Sequence, residues 1–402
     1  MGMLSTTACA MMAAAVSVAM TTPASAQSAP DLQGYAAARF VPYADSGTEP
    51  KPFTGPARLS FLVRMPGGGS PGRFTMTMDT GSTGVVISAA DLPGYSREVA
   101  AQYKQGWEFL SSSSRLWIGR WSPHEMVFLD PAGNQLATAN VPVLAVETEY
   151  HCPGWNETLD EPTCTDPRPT PEMPTGVAQM PKGIAYLGVG FGREHDGQSQ
   201  GNPDKNPLLN LVAVDSRPVQ ASSVRSGYVI TRDGVHVGLT QANSQGFAWT
   251  KLQGRSLDAS GKAASNDPRD WAQAGMAVSV NGQAAQSGPL LIDTGIEQMY
   301  LTVSDPSQLP TKPVPNPSLP GQTATGLVPG ARVTVSFPDA VAPVAQYGFT
   351  VGDNADQTAP SVVLVTSGAT PAFVNTGRHL LRGYDVAFDA DGGWLGLRKS
   401  TP

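Results

Sequence analysis

Apolar and polar positions along this chain change over in short runs, with turn residues between them. The segment ARLSFLVRM (Ala57–Met65) alternates and is rich in β-formers, PGGGSPG follows as a turn, and RFTMTMDTG is a second strand. Helical periodicity is scarce, with SAADLPGYSREVAAQY as a short exception. Tracts without regular pattern, at about 150–182, 194–206 and 254–270, read as surface loops or insertions. The pattern predicts an all-β fold.

One piece of the pattern occurs twice. Phe74–Ser88 (FTMTMDTGSTGVVIS) and Gly288–Thr302 (GPLLIDTGIEQMYLT) each run an apolar strand into Asp-Thr-Gly, pass three polar or small residues and leave through an apolar triplet. The triplets are Val85-Val86-Ile87 and Met299-Tyr300-Leu301. A strand entering and leaving a tight turn can hold a carboxylate rigidly in a largely buried setting. Gly81 and Gly295 are expected to let the backbone turn. The plain alternative, that each aspartate only closes an Asx-turn, leaves the shared frame unexplained. Asp45-Ser46-Gly47-Thr48 has a similar composition, but Glu49-Pro50 follows where an apolar strand should be. It is discounted.

Two such loops, one per half, suggest two lobes facing each other across a cleft. Carboxylates held close together cannot easily both ionise, so Asp79 and Asp293 would share one proton. The ionised member can take a proton from a water while the protonated member polarises a carbonyl. That is amide hydrolysis without a metal or covalent intermediate, favoured at acidic pH. Thr80 and Thr294 would lock the loops beneath the carboxylates.

Composition narrows the field. A chain of 402 residues with 40% hydrophobic and 15% charged residues has enough apolar material for a sizeable core. Its 43 Gly and 36 Pro show no collagen-like period and suit a turn-rich β-protein. A net charge of −7 offers no basic footprint, which excludes nucleic acid as a partner. The run Ala8–Met20 followed by Ala24-Ser25-Ala26 resembles a secretory signal cleaved after Ala26 and removing Cys9, although its n-region lacks Lys and Arg. No later segment is long and apolar enough to span a bilayer as a helix. A secreted or periplasmic location is expected. Cys152 and Cys164 then remain, and a local disulfide closing that loop is the natural inference. The five histidines show no metal-binding spacing, so no metal and no cofactor are expected.

Other chemistries fit poorly. GSTG around Ser82 is not a nucleophile elbow. Gly188-Val189-Gly190-Phe191-Gly192 lacks the spacing and the following long helix of a phosphate loop. Asn156-Glu157-Thr158 is a formal glycosylation sequon, relevant only in a eukaryotic secretory pathway.

Taken in order, RLSFLVRM, FTMTMDTGS, GIAYLGVGF (Gly183–Phe191), WAQAGMAVSVNGQAAQSGPLLIDTG (Trp271–Gly295) and LLRGYDVAFDADGGWLGLR (Leu380–Arg398) resemble the pepsin family of aspartic proteases over nearly all of the mature sequence. The resemblance implies two β-barrel-like lobes around an extended-peptide cleft, with Asp79 and Asp293 as the catalytic pair. After the signal at 1–26, the chain divides into an arm at 27–56, one lobe at 57–225 and the other at 226–402. A monomer acting as a secreted endopeptidase on extended polypeptide is the expected form. A binding protein on the same fold, holding a protein or glycan in the cleft, is the alternative.

Four positions depart from the family pattern. Ile296 replaces the second loop's usual hydroxyl, which the first loop keeps as Ser82 and which the resemblance implies would support Asp79. The flap tyrosine is missing near Glu108–Phe128, where the serines 111–114 stand instead. Its tryptophan partner falls at Val86. The second lobe's apolar-apolar-Gly reads Asn375-Thr376-Gly377. Trp117 is a candidate to close the cleft, with a core or surface role as the competing assignment. Asn375 and Thr376 are candidates to brace Asp293. Only Arg39 and Lys51 are basic in the arm, so an autoinhibitory pro-segment is not expected.

Overall fold

The computed structural model describes residues 29–45, 53–65, 70–110, 113–152, 155, 166–167, 180–192, 201–254, 267–318, 321–368 and 371–401. The expected signal at 1–26, Cys164, the sequon and most of the tract at 150–182 lie outside them.

Nearly every described element is a strand, in agreement with the all-β pattern. The stretch read as a possible helix holds a three-residue 3-10 turn, Ala89–Asp91, and one four-residue α-helix, Arg97–Ala100. Pro93 and Gly94 (φ +77°) separate the two, because neither residue continues a helix well. Ser96 caps the second piece by accepting a bond from the Val99 amide at 3.2 Å.

In the first half, six strands close on themselves. Gln135–His151, Thr83–Ser88, Ala185–Val189, Gly72–Asp79, Arg58–Arg64 and Arg115–Leu129 pair in that order, and the last pairs back with the first. Alternation explains their burial. Leu59, Phe61, Val63, Met76, Met78, Val85 and Ile87 enter one large core, while Val86, Leu144 and Val146 pack with Trp117, Trp121 and Ile184 in a second. Thr83–Ser88 is therefore buried on both faces, as its unbroken apolar run requires.

A nine-stranded sheet is built from residues 274–375. A third, six-stranded sheet draws on three distant parts of the chain. Its order is Arg39–Pro42, Gly234–Val237, Gly227–Ile230, Tyr384–Asp389, Trp394–Lys399 and Ala248–Lys251. Part of the presumed N-terminal arm is thus a sheet strand, with Val41 fully buried. The Arg225 guanidinium grips the buried Asp389 carboxylate through two bonds, of 2.8 and 2.9 Å. That bidentate geometry ties the entry of this sheet to its later strands.

The repeat seen in the sequence is also a repeat of topology. In the first half, Ala185–Val189 lies between Gly72–Asp79 (parallel) and Thr83–Ser88 (antiparallel), which in turn runs parallel to Gln135–His151. In the second half, Phe373–Asn375 lies between Gln286–Leu291 (parallel) and Met299–Val303 (antiparallel), which runs parallel to Val363–Ser367. Each Asp-Thr-Gly loop thus spans two strands separated by an inserted third.

Candidate active site

The two loops meet tip to tip. The Thr80 amide donates to Thr294 Oγ1 at 2.9 Å, and the Thr294 amide donates to Thr80 Oγ1 at 3.0 Å. Thr294 Oγ1 then donates to the Met78 carbonyl at 2.7 Å, and Thr80 Oγ1 to the Ile292 carbonyl. Each hydroxyl both accepts from and donates to the opposite loop, so four backbone groups are satisfied in a buried setting. Thr294 is fully buried and Thr80 nearly so.

This grip sets Asp79 beside Asp293. A Cβ placed on Gly81 would stand 2.6 Å from Asp293 Cγ, and one on Gly295 would stand 2.5 Å from Asp79 Oδ1. The reason for glycine thus differs from the sequence expectation. Neither residue has a positive φ; both are glycines because the opposite carboxylate occupies the space of a side chain. Each glycine amide also donates to the inner oxygen of its own aspartate, Gly81 to Asp79 Oδ1 and Gly295 to Asp293 Oδ1, both at 2.8 Å. Asp79 and Asp293 are 3% and 6% exposed, so they interact in a medium where like charges repel strongly.

The outer oxygens are supported differently in the two halves. Ser82 Oγ donates to Asp79 Oδ2 at 2.7 Å. In the second half Ile296 has no hydroxyl to offer, and Asn375 Nδ2 donates to Asp293 Oδ2 at 2.8 Å. Asn375 Oδ1 accepts the Gly377 amide at 3.0 Å, which orients the side chain with its donor toward the carboxylate. Of the two candidate braces, Asn375 reaches Asp293. Thr376 does not, since its hydroxyl donates to the Gly377 carbonyl at 2.8 Å. Gly377 itself has φ +61° and ψ −173°, a conformation reserved for glycine.

Tyr186 was not foreseen. Its hydroxyl donates to Asp79 Oδ2, the oxygen already bonded by Ser82. Burial pushes this phenol well above its ordinary range, and the Asp79 charge and its hydrogen bond, then Asp293 and Glu108, add to the push. Tyr186 pairs with Thr77 and Val86 across the sheet. Its only signal in GIAYLGVGF was a hydroxyl on an otherwise apolar strand.

The hairpin Gln105–Leu110/Arg115–Leu129 stands where the flap was expected. Trp117 lies on it but is 4% exposed, packed with Val86 and edge-on to Tyr186 at 5.8 Å between ring centres. Its Nε1 donates to Glu149 at 3.3 Å. Trp117 is therefore a core residue. Glu108, opposite Trp117 in the hairpin register, is also buried. Among the described residues no group of His, Cys, Asp and Glu is arranged to hold a metal ion, and no helix is long and apolar enough to cross a membrane. No protein-family model matches this chain and no curated protein matches its sequence.

Proposed function

We propose that this chain is a secreted, pepsin-like aspartic endopeptidase that hydrolyses extended polypeptide through a water activated between Asp79 and Asp293. The observation that carries this reading is the reciprocal contact of the two loops, in which each carboxylate fills the side-chain space of the opposite glycine. An Asx-turn needs no such partner. A pair so close favours one shared proton.

The chemistry follows from that proton. The ionised carboxylate takes a proton from water as the water oxygen bonds to the scissile carbonyl carbon, and the protonated carboxyl donates to the carbonyl oxygen. The tetrahedral diol then collapses, the C–N bond breaks and the nitrogen leaves with the proton first taken from water. The second proton returns to the pair. The threonine grip contributes rigidity, so little reorganisation is needed as charge moves.

The test is cleavage of denatured casein by the protein from Gln27 onward, from pH 3 to 7, beside Asp79→Asn and with pepstatin, a mimic of the tetrahedral intermediate. Acid-favoured cleavage that pepstatin and the Asn variant both abolish is expected. Folded protein that neither cleaves nor binds pepstatin would support the binding-protein alternative, and cleavage that survives Asp79→Asn would remove the pair from the chemistry.

A further inference from the structure

Tyr186 and Asn375 occupy the same place in the two halves. Asp79 pairs with Gly188, which puts Tyr186 two residues before that partner. Leu291 pairs with Asn375 in the equivalent parallel ladder, so Asp293 falls level with Gly377 and Asn375 lies two residues before it. Each side chain reaches the outer oxygen of the aspartate in its own half. The donors differ in kind, a phenol on one side and an amide on the other.

Resting on the peptidase reading, we propose that Tyr186 is a positioning residue that fixes the charge of the pair on Asp79, leaving the shared proton on Asp293. Three donors converge on Asp79: the Gly81 amide on Oδ1, and the Ser82 and Tyr186 hydroxyls on Oδ2. That is the surrounding of an anion, because charge-assisted bonds favour the ionised form of their acceptor. Tyr186 keeps its proton across the working range, since burial and the nearby acids oppose its ionisation. The titratable groups facing it are Asp79, Asp293 and Glu108, with Glu149 beyond Trp117. Asp79 is then the base that receives the proton of water, and Asp293 is the acid. Tyr186 stands in for the absent flap tyrosine in one respect, a phenol beside the reacting groups, but comes from the strand inserted between those flanking the first loop.

Tyr186→Phe keeps the ring, its edge contact with Trp117 and the packing on Val86, and removes one bond to the charged oxygen. The expected result is a roughly ten- to hundredfold fall in kcat with KM little changed. The acid limb of kcat/KM should also move to higher pH by about one unit. Asn375→Leu acts on the acid and should move the basic limb upward instead. Carboxyl carbon NMR of the pair supplies a readout without turnover, in which Tyr186→Phe shifts the first ionisation upward by a similar amount. Unchanged kcat and acid limb in a folded Tyr186→Phe protein would reduce Tyr186 to a packing residue, as would unchanged carboxyl titration. Failure of the peptidase reading itself would look different, with the folded wild-type protein neither cleaving casein nor binding pepstatin.

Discussion

Replacing Thr80 by valine tests how much of the structure depends on the crossed loops. The two side chains have nearly the same shape, so packing changes little while both hydrogen bonds of the hydroxyl disappear. The Thr294 amide loses its acceptor and the Ile292 carbonyl loses its donor. Both groups lie where water does not reach, as Thr294 is fully buried and Ile292 is 9% exposed. A buried backbone group left unsatisfied costs roughly 1–3 kcal/mol, so the substitution should cost about 2–6 kcal/mol. Equilibrium urea unfolding of wild type, Thr80→Val and Thr80→Ser measures it. Serine retains both bonds and loses only a methyl group, so its cost should stay within about 1.5 kcal/mol. A valine protein as stable as wild type would refute the view that these bonds hold the halves together. Thr294→Val should behave alike, and the double variant should cost less than the two singles combined because the four bonds act as one unit.

Two further expectations follow from the same neighbourhood. Gly295→Ala puts a methyl group 2.5 Å from Asp79 Oδ1, and the loops must part to admit it; proteolysis should fall roughly a hundredfold on a displacement near 1 Å, measured as kcat/KM beside the unfolding midpoint. His379 is buried and its pKa lies at about 4, lowered chiefly by burial and then by Arg382. The unfolded chain therefore binds its proton first, and this group's share of stability is present above about pH 6.5 and lost as pH falls toward 4. The gap corresponds to about 3 kcal/mol. His379→Gln should flatten the loss of stability over that window in urea titrations at stepped pH; an unchanged slope would show that His379 is not responsible.

Much of the site was legible because its chemistry is local. Asp79, Thr80, Gly81 and Ser82 are consecutive, and one loop's frame could be matched to the other's by reading along the chain. The crossed hydroxyls followed from the symmetry of two identical Thr positions. What escaped depends on strand register. Tyr186 reaches Asp79 only because Ala185–Val189 inserts between the strands flanking the first loop, a pairing across more than a hundred residues. In the sequence a tyrosine on an apolar strand reads as core. The purpose of Gly81 and Gly295 was hidden for the same reason, since the atom that excludes a side chain comes from the other half. Asn375 was traceable, because a polar residue stood in an apolar slot beside a loop that lacked its hydroxyl. Trp117 was ambiguous because only the packing of its hairpin, which buries it in one cluster with Val86, decides between core and cleft.

The six-stranded sheet carries a consequence for the order of assembly. The closed first-half strands all come from residues 58–151 and 185–189 and need no partner from the end of the chain to close. Arg39–Pro42 must wait for Gly234–Val237, and Gly227–Ile230 for Tyr384–Asp389, which Trp394–Lys399 flanks on the far side. A chain ending before residue 384 therefore keeps all the strands of that closed circuit but leaves Gly227–Ile230 with an open, hydrogen-bonding edge. Clipping a few residues from Trp394–Lys399 would be felt two strands away at Gly227–Ile230, and beyond it at the strand that begins with Arg39.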